Sequence, residues 1–407
     1  MLRILMNNGL WKRSSELDTG KQHRQIFKQI RKVGLVSLVL CGSIGGNPSQ
    51  ATPVSGDWKP VISGNWKVGD ATEAGFDQAA LDKLVMNIHN GQFANTHAVL
   101  IEHDGELVFE RYFSGRDEEW GRPTGVRNFE LYSLHDVRSI SKSVTSLLLG
   151  IALTDDVKQA VSKPAVNFLP DMELETTARK ITLHQLMTMT AGFQWNEMTT
   201  PYNSSNDEVR LYRQRNPAHY VMSRPLVSKP GSAWYYNGGT TQVLASMITE
   251  LTGKRLDAYA RDKLFEPLGV TEFEWHGPGR WTPDNPAAMS GLRLKARDLA
   301  KIGSVFLHDG KWGEHQIVPK EWVDISSVRH VKDVGDWSDN GVWGYGYQWW
   351  VGDLRSGERV IAGFGNGNQR LFVIPKKRLV ITINAGDYNL FTGQSERILQ
   401  TVLQALD

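Results

Sequence analysis

The stretch Asp136-Val-Arg-Ser-Ile-Ser-Lys-Ser-Val-Thr-Ser-Leu-Leu-Leu-Gly150 puts Ser139 and Lys142 three residues apart at the start of an apolar helical run. On a helix the two side chains share a face. A serine hydroxyl is a weak nucleophile at neutral pH unless a base lies within hydrogen-bond reach, and a lysine one turn along serves as that base when burial favours its neutral form. Ser139 also falls where unpaired backbone N–H groups and the positive end of the helix dipole favour a developing negative charge, so half of an oxyanion hole is expected there. The bland alternative makes Ser139 a helix cap and Lys142 a side chain that snorkels to water. About one Ser-x-x-Lys arises by accident in a chain of this composition, so the rest of the sequence has to decide.

With 407 residues, 40% of them hydrophobic, the chain has enough material for a large core and two or three structural units in one body. Lys and Arg together number 46 against 44 Asp and Glu, spread along the whole length. That balance gives no electrostatic reason for a nucleic-acid or anionic-membrane partner. The fourteen Trp are read as core aromatics.

The single cysteine, Cys41, lies in a segment that looks like a targeting sequence: Lys28, Arg31 and Lys32, the apolar run Val33 to Ile44, then the small-x-small signal Ser49-Gln-Ala51. The run is short for a bilayer span. Residues 1–51 are therefore expected to be a signal segment cleaved after Ala51, giving a periplasmic or secreted chain with no cysteine, no disulfide and no stable membrane span. Lipidation at Cys41 is the lesser reading, because Leu40 stands where lipoprotein signals carry a small residue.

Residues 52–76 read as an extended arm rich in Gly, Trp and Pro. Asp77 caps a helix to His89 with Leu81, Leu84, Val85 and Ile88 on one face. The runs 97–102 and 106–112 form a hairpin about His103-Asp-Gly105. A long loop from Ser114 to His135 is expected before the Ser139 helix. From 154 to about 340 the pattern is mainly helical, with helices at 181–192, 240–252, 256–264 and 295–308. Strands return at 345–351, 359–362, 370–374 and 379–384, followed by a helix over 395–406. This order implies one antiparallel sheet in which the C-terminal strands lie beside the N-terminal hairpin, with an inserted helical region. The active serine then lies at the seam. The domain body spans 77–407, its α/β part about 77–153 and 341–407 and its helical part about 154–340.

Two further stretches carry chemistry. In Pro230-Gly-Ser-Ala-Trp-Tyr-Tyr-Asn-Gly238, a loop tyrosine, Tyr235, is positioned to relay a proton between Ser139 and a leaving group, and Asn237 to hold Lys142 or a substrate carbonyl. Arg359-Val-Ile-Ala-Gly-Phe-Gly-Asn-Gly-Asn-Gln369 is flanked by strands, unlike the strand-to-helix glycine loops that bind phosphate, and fits a strand edge lining a cleft. The eleven histidines are scattered without ligand spacing, and there is no Gly-x-Ser-x-Gly elbow. A serine, lysine and tyrosine scheme needs no metal and no cofactor.

In this order, Ser139-Ile-Ser-Lys142, Tyr235-Tyr-Asn237 and the Gly-rich strand near Gly363 resemble the three-motif pattern of the penicillin-recognising serine hydrolases. The chain is most similar to the class C β-lactamase-like branch, which includes esterases, D-aminopeptidases and 6-aminohexanoate-dimer hydrolases. Supporting stretches are 181–192, 230–239, 264–269, 291–300 and 369–375. The resemblance implies an α+β, β-lactamase-like fold. It also implies Ser139 as acyl-accepting nucleophile, Lys142 as its base, Tyr235 as proton shuttle and Asn237 as a supporting residue, with a second oxyanion N–H from around Gly363 to Gly365.

The family usually carries Lys-Thr-Gly or a His variant on that third strand, where this chain has Gly363-Phe364-Gly365. Without a cation to bind a substrate carboxylate, penicillin hydrolysis or peptidoglycan trimming is disfavoured. A literal Ser338-Asp-Asn340 is read as a polar turn. The expected activity is cleavage of a small ester or amide through an acyl-enzyme, with the loop 193–217 setting specificity. A β-lactamase or DD-peptidase, and a non-catalytic binding protein on the same scaffold, are the alternatives.

Overall fold

The computed structural model describes residue 60 and residues 66–153, 156–277, 285–335 and 341–406. The signal segment 1–51, Cys41, most of the arm before Trp66 and the turn Ser338-Asp-Asn340 lie outside the described residues.

Helix α1 (Gln78–His89) starts at Asp77, whose carboxylate accepts from the N–H groups of Ala79 and Ala80 at 2.7 and 3.3 Å. It buries Leu81, Leu84, Val85 and Ile88. Strands β1 (Thr96–His103) and β2 (Glu106–Tyr112) are joined by Asp104 and Gly105, both at positive φ, 53° and 87°. That is the geometry of a type I′ hairpin, matching the strand twist. The stretch expected as a long loop instead forms a second hairpin, β3 (Ser114–Glu119) and β4 (Arg122–Asn128). Strand β4 is exposed over nearly its whole length, so no apolar alternation marks it in the sequence.

Strand β5 (Leu134–Asp136) leads to α2 (Ile140–Ala152). Further along come α3 (Gly238–Thr252), β6 (Glu274–Trp275), β7 (Leu292–Lys295), α4 (Ala296–Leu307), β8 (Lys311–Trp312) and β9 (His315–Gln316). The chain closes with β10 (Gly341–Tyr345), β11 (Trp350–Leu354), β12 (Arg359–Gly365), β13 (Gln369–Ile374), β14 (Leu379–Ala385) and α5 (Gln394–Leu406). Among the described residues no helix is long and apolar enough to cross a membrane.

A seven-stranded sheet runs β10-β11-β12-β13-β14-β1-β2, every pair antiparallel, with the N-terminal hairpin beside the C-terminal strands. Side chains alternate across it. Leu371 and Val373 enter the core shared with α2 and α4, while Phe372 and Ile374 enter the core shared with α1 and α5. Helix α4 belongs by sequence to the inserted region yet lies on the sheet. It does so closely enough that a Cβ on Gly303 would stand 2.6 Å from Val380 Cγ1 and 2.8 Å from Leu371 Cδ1.

The run 345–351 is not one strand. It breaks between Tyr345 and Trp350 around Gln348, at φ 63°. Gln348 joins three segments: its carbonyl accepts from Ser143 Oγ at 2.8 Å, its Oε1 from Thr241 Oγ1 at 2.7 Å, and its Nε2 donates to the Met187 carbonyl at 3.0 Å. Burial of an amide side chain is tolerated when its polar atoms are answered in this way.

Helix α2 is buried almost throughout and packs through Gly150 against the fully buried Trp322. A Cβ at Gly150 would meet the indole at 2.2 to 2.5 Å. Alanine is favoured over glycine by about 1 kcal/mol in a helix, but overpacking a dense core costs about 1–3 kcal/mol. Gly150→Ala is expected to lower the thermal unfolding midpoint; an unchanged or higher midpoint would show that Trp322 yields freely.

Candidate active site

The turn before Ser139 is clamped from both sides. Strand β5 pairs with β7, setting Asp136 opposite Arg293 with Oδ1 and Nε 2.8 Å apart, and the Val137 N–H donates to the Leu292 carbonyl at 3.0 Å. Arg138 then takes φ 50°, a left-handed conformation that costs a residue with a side chain about 1–2 kcal/mol. Its guanidinium lies 3.4 Å from Asp136, 3.5 Å from Glu118 and 4.8 Å from the Tyr388 ring centre. The next N–H groups, of Ile140, Ser141 and Lys142, donate to the carbonyls of Val137, Arg138 and Ser139 as α2 begins.

Ser139 occupies the cap position, yet its side chain makes no capping hydrogen bond. Lys142 Nζ lies 3.0 Å from Ser139 Oγ and donates a second hydrogen bond, also 3.0 Å, to the Met289 carbonyl. The lysine side chain is 1% exposed, which removes the snorkelling alternative. Behind it stands Glu197, also 1% exposed, with Oε1 3.8 Å from Nζ. The other carboxylate oxygen of Glu197 accepts from Trp195 Nε1 at 2.8 Å and from the Gly238 N–H at 2.7 Å. Burial pushes the Glu197 carboxyl up to about 7, against the pull of Lys142 toward the ionised form.

Tyr236, the neighbour of the expected Tyr235, hydrogen-bonds to Ser139. Trp234 and Tyr236 both pack on Trp350, each about 5.9 Å from it in ring-centre distance. Tyr236 also lies beside Lys142, whose Nζ is 4.9 Å from its ring centre. Burial first, then the Glu197 carboxylate, holds the Tyr236 hydroxyl well above the usual phenol range, so it rests protonated.

Asn237 stands at the start of α3. Its Oδ1 accepts from the Thr240 N–H at 3.2 Å and caps α3.

The third stretch lies against residues flanking Ser139. A Cβ on Gly363 would stand 3.0 Å from Ile140 Cγ2, and one on Gly365 would stand 2.4 Å from the Val137 carbonyl, so bare backbone is what lets β12 lie against this turn. Between them Phe364 stacks on Trp350 and carries the Arg370 guanidinium 4.6 Å above its ring centre. That cation is engaged by Glu396 at 3.1 Å and the Gly365 carbonyl at 3.1 Å.

The loop 193–217 borders the site as expected, and it carries groups that sequence reading did not single out. Glu197 is one. Glu208 is another, accepting from Tyr212 Oη at 2.6 Å and from Ser290 Oγ at 3.0 Å. Tyr202 is half exposed, and the Glu208 carboxylate, followed by burial, raises its hydroxyl well above the phenol range. The available signal was Trp195-x-Glu197 inside a flagged loop, but nothing local separates Glu197 from Asp207 or Glu208. Among the described residues no group of three His, Cys, Asp or Glu side chains is placed to hold a metal ion.

A family model described as Beta-lactamase matches residues 83–398. The chain is 25% identical over 336 residues to a 6-aminohexanoate-dimer hydrolase of Paenarthrobacter ureafaciens, covering 77% of this chain and 79% of that protein. Its fold is similar to that of a putative 6-aminohexanoate-dimer hydrolase from Bacillus anthracis, with TM-score 0.62 and 22% identity over 78% of this chain and 80% of the other. It is also similar to a family VIII carboxylesterase, with TM-score 0.63 and 15% identity over 83% and 99%.

The two adjacent tyrosines give a direct test of the site. Tyr236→Phe is expected to reduce kcat by about 100-fold or more, the scale of a lost proton-transfer group, and Tyr235→Phe to stay within about threefold. The opposite ranking in steady-state ester hydrolysis would return the role to Tyr235.

Proposed function

The chain belongs to the beta-lactamase family, a family of serine hydrolases, and on that basis we propose that it is an exported esterase or amidase acting through an acyl-enzyme on Ser139. The observation that carries the reading is the 3.0 Å approach of Lys142 Nζ to Ser139 Oγ, with Tyr236 on the same hydroxyl. Ser139 Oγ attacks the substrate carbonyl as its proton passes to the amine of Lys142, and the carbonyl electron pair moves onto oxygen. The Ser139 N–H, at a helix start where the following three N–H groups are already engaged, is one candidate donor to that oxyanion. A second is backbone near Gly363 to Gly365. When the intermediate collapses, the leaving group departs with a proton from the Tyr236 hydroxyl, which Lys142 replenishes. Water then deacylates the enzyme by the same steps in reverse.

Substrate charge favours this reading over a β-lactamase or DD-peptidase. The third strand offers no free cation for a carboxylate: Phe364 fills its middle, and Arg370 beside it is held by Glu396. The carboxylates at the site are Glu197 and Glu208, and the Tyr236 ring beside Ser139 is backed by a packed cluster of Trp234, Trp350 and Tyr345. A small, uncharged acyl group on an ester or linear amide suits such a site, in keeping with the name of the 6-aminohexanoate-dimer hydrolase relative. Residues 1–51 are read as the export signal, with cleavage after Ala51.

Turnover of p-nitrophenyl butyrate, nitrocefin and a linear amide dimer by wild type and Ser139→Ala tests the activity. Ester or amide hydrolysis is expected to fall at least about 1,000-fold in the variant, with nitrocefin slow in both. Rapid nitrocefin turnover would move the protein to the β-lactamases, and failure of a fluorophosphonate to label Ser139 in folded protein would favour the binding protein. Intact-mass measurement on the exported protein is expected to show a chain beginning at Thr52; a retained N-terminus or a lipid adduct at Cys41 would overturn the assigned cleavage.

A further inference from the structure

Lys142 can take the Ser139 proton only by becoming an ammonium ion inside a dry core. An ammonium closed off from water costs several kcal/mol unless its hydrogens and charge are answered. Two of its partners are neutral oxygens, Ser139 Oγ and the Met289 carbonyl, and the ring of Tyr236 covers a third direction at 4.9 Å. The remaining neighbour is Glu197 Oε1, 3.8 Å away. We propose that Glu197 is a positioning residue for the reaction: its carboxylate fixes Lys142 against Ser139 and stabilises the ammonium formed during acylation. The inference rests on Ser139 and Lys142 being nucleophile and base.

Glu197 is built for this and for little else. Its Oε2 is locked by two donors, the Trp195 indole and the Gly238 backbone. Those bonds leave Oε1 turned to the lysine. With its side chain 1% exposed it does not reach substrate or activate a water in the cleft, so it acts through Lys142. Position 238 is glycine for the same reason: a Cβ there would stand 3.0 Å from Glu197 Oε2 and 3.2 Å from Met289 Cβ. The carboxylate thus occupies the space that a side chain following Asn237 would fill.

The charged and titratable groups around Glu197 are Lys142 of α2, Glu208 of the loop helix, Tyr236 before α3, Tyr202 of the loop and Tyr345 of β10. Lys142 is the cation among them. Glu208 opposes ionisation of Glu197 and is itself tied to Tyr212 and Ser290. Removing the Glu197 charge therefore makes the lysine–glutamate pair release its proton more readily. The rate–pH profile has to move in a defined direction, with its acid limb shifting to lower pH.

The experiment compares Glu197→Gln and Glu197→Asp with wild type, reading ester turnover and the rate of fluorophosphonate labelling of Ser139 across pH. The glutamine keeps the shape and an acceptor for Trp195 and Gly238 but loses the charge; the aspartate keeps the charge at shorter reach. The proposal predicts that Glu197→Gln loses about 30-fold or more in kcat with KM changed less than about threefold, that its acid limb moves down by about one pH unit, and that Glu197→Asp retains more activity than Glu197→Gln. A merely structural glutamate gives the reverse order, glutamine near wild type and aspartate impaired, with no shift of the limb, and that result overturns the proposal. Should Glu197→Gln fail to fold, labelling of Glu197→Asp decides: a rate within about tenfold of wild type supports the role of the charge, and near-complete loss overturns it. Activity surviving in Ser139→Ala would instead strike the nucleophile assignment, an outcome separable from these.

Discussion

An amine buried in the first turn of an apolar helix has to be answered by oxygen, and that requirement at Lys142 organises this molecule. Its partners come from four separate segments: Ser139 at the start of α2, Met289 before β7, Glu197 from the loop after the helix Leu183–Met187, and Tyr236 before α3. No two of these segments adjoin in sequence, so the amine is satisfied only when the whole inserted region has closed on the sheet. Removing one partner leaves a buried charge or donor uncompensated, which is far costlier than losing an exposed pair.

Ser139 is held by the same economy. Arg138 carries backbone strain one residue before Ser139, and the strain persists because Asp136, Glu118 and Tyr388 fix the arginine while Arg293 fixes Asp136. The three-stranded sheet of β5, β7 and β6 ties this turn to the segment that supplies Met289. Lys142 and Ser139 are therefore referenced to one frame. On the other side β12 comes in as bare backbone at Gly363 and Gly365, bringing N–H and carbonyl groups near the serine without a side chain between.

What surrounds this frame bears on substrate choice. Arginines are present near the cleft, but Arg138 and Arg370 are each committed to carboxylates and laid over aromatic rings, Tyr388 and Phe364. A cation engaged in this way offers little to a substrate carboxylate.

The sequence by itself determined whatever depends on neighbours along the chain. The spacing of Ser139 and Lys142 on one helical turn, the Asp77 cap, the Asp104-Gly105 turn and the alternating strands from 359 to 385 are all local, and each is legible from residue type and period. Tertiary structure alone decided what hangs on contacts between distant segments. That Tyr236 meets Ser139 goes with the packing of Trp234 and Tyr236 on Trp350, more than a hundred positions away. That Asn237 is spent on a helix cap, and that Glu197 rather than Glu208 stands behind Lys142, likewise follow from which segment the closed core presses against the amine. A carboxylate in a polar loop looks alike in sequence whether it faces water or a buried lysine, because desolvation is a property of the assembled core and not of the residue.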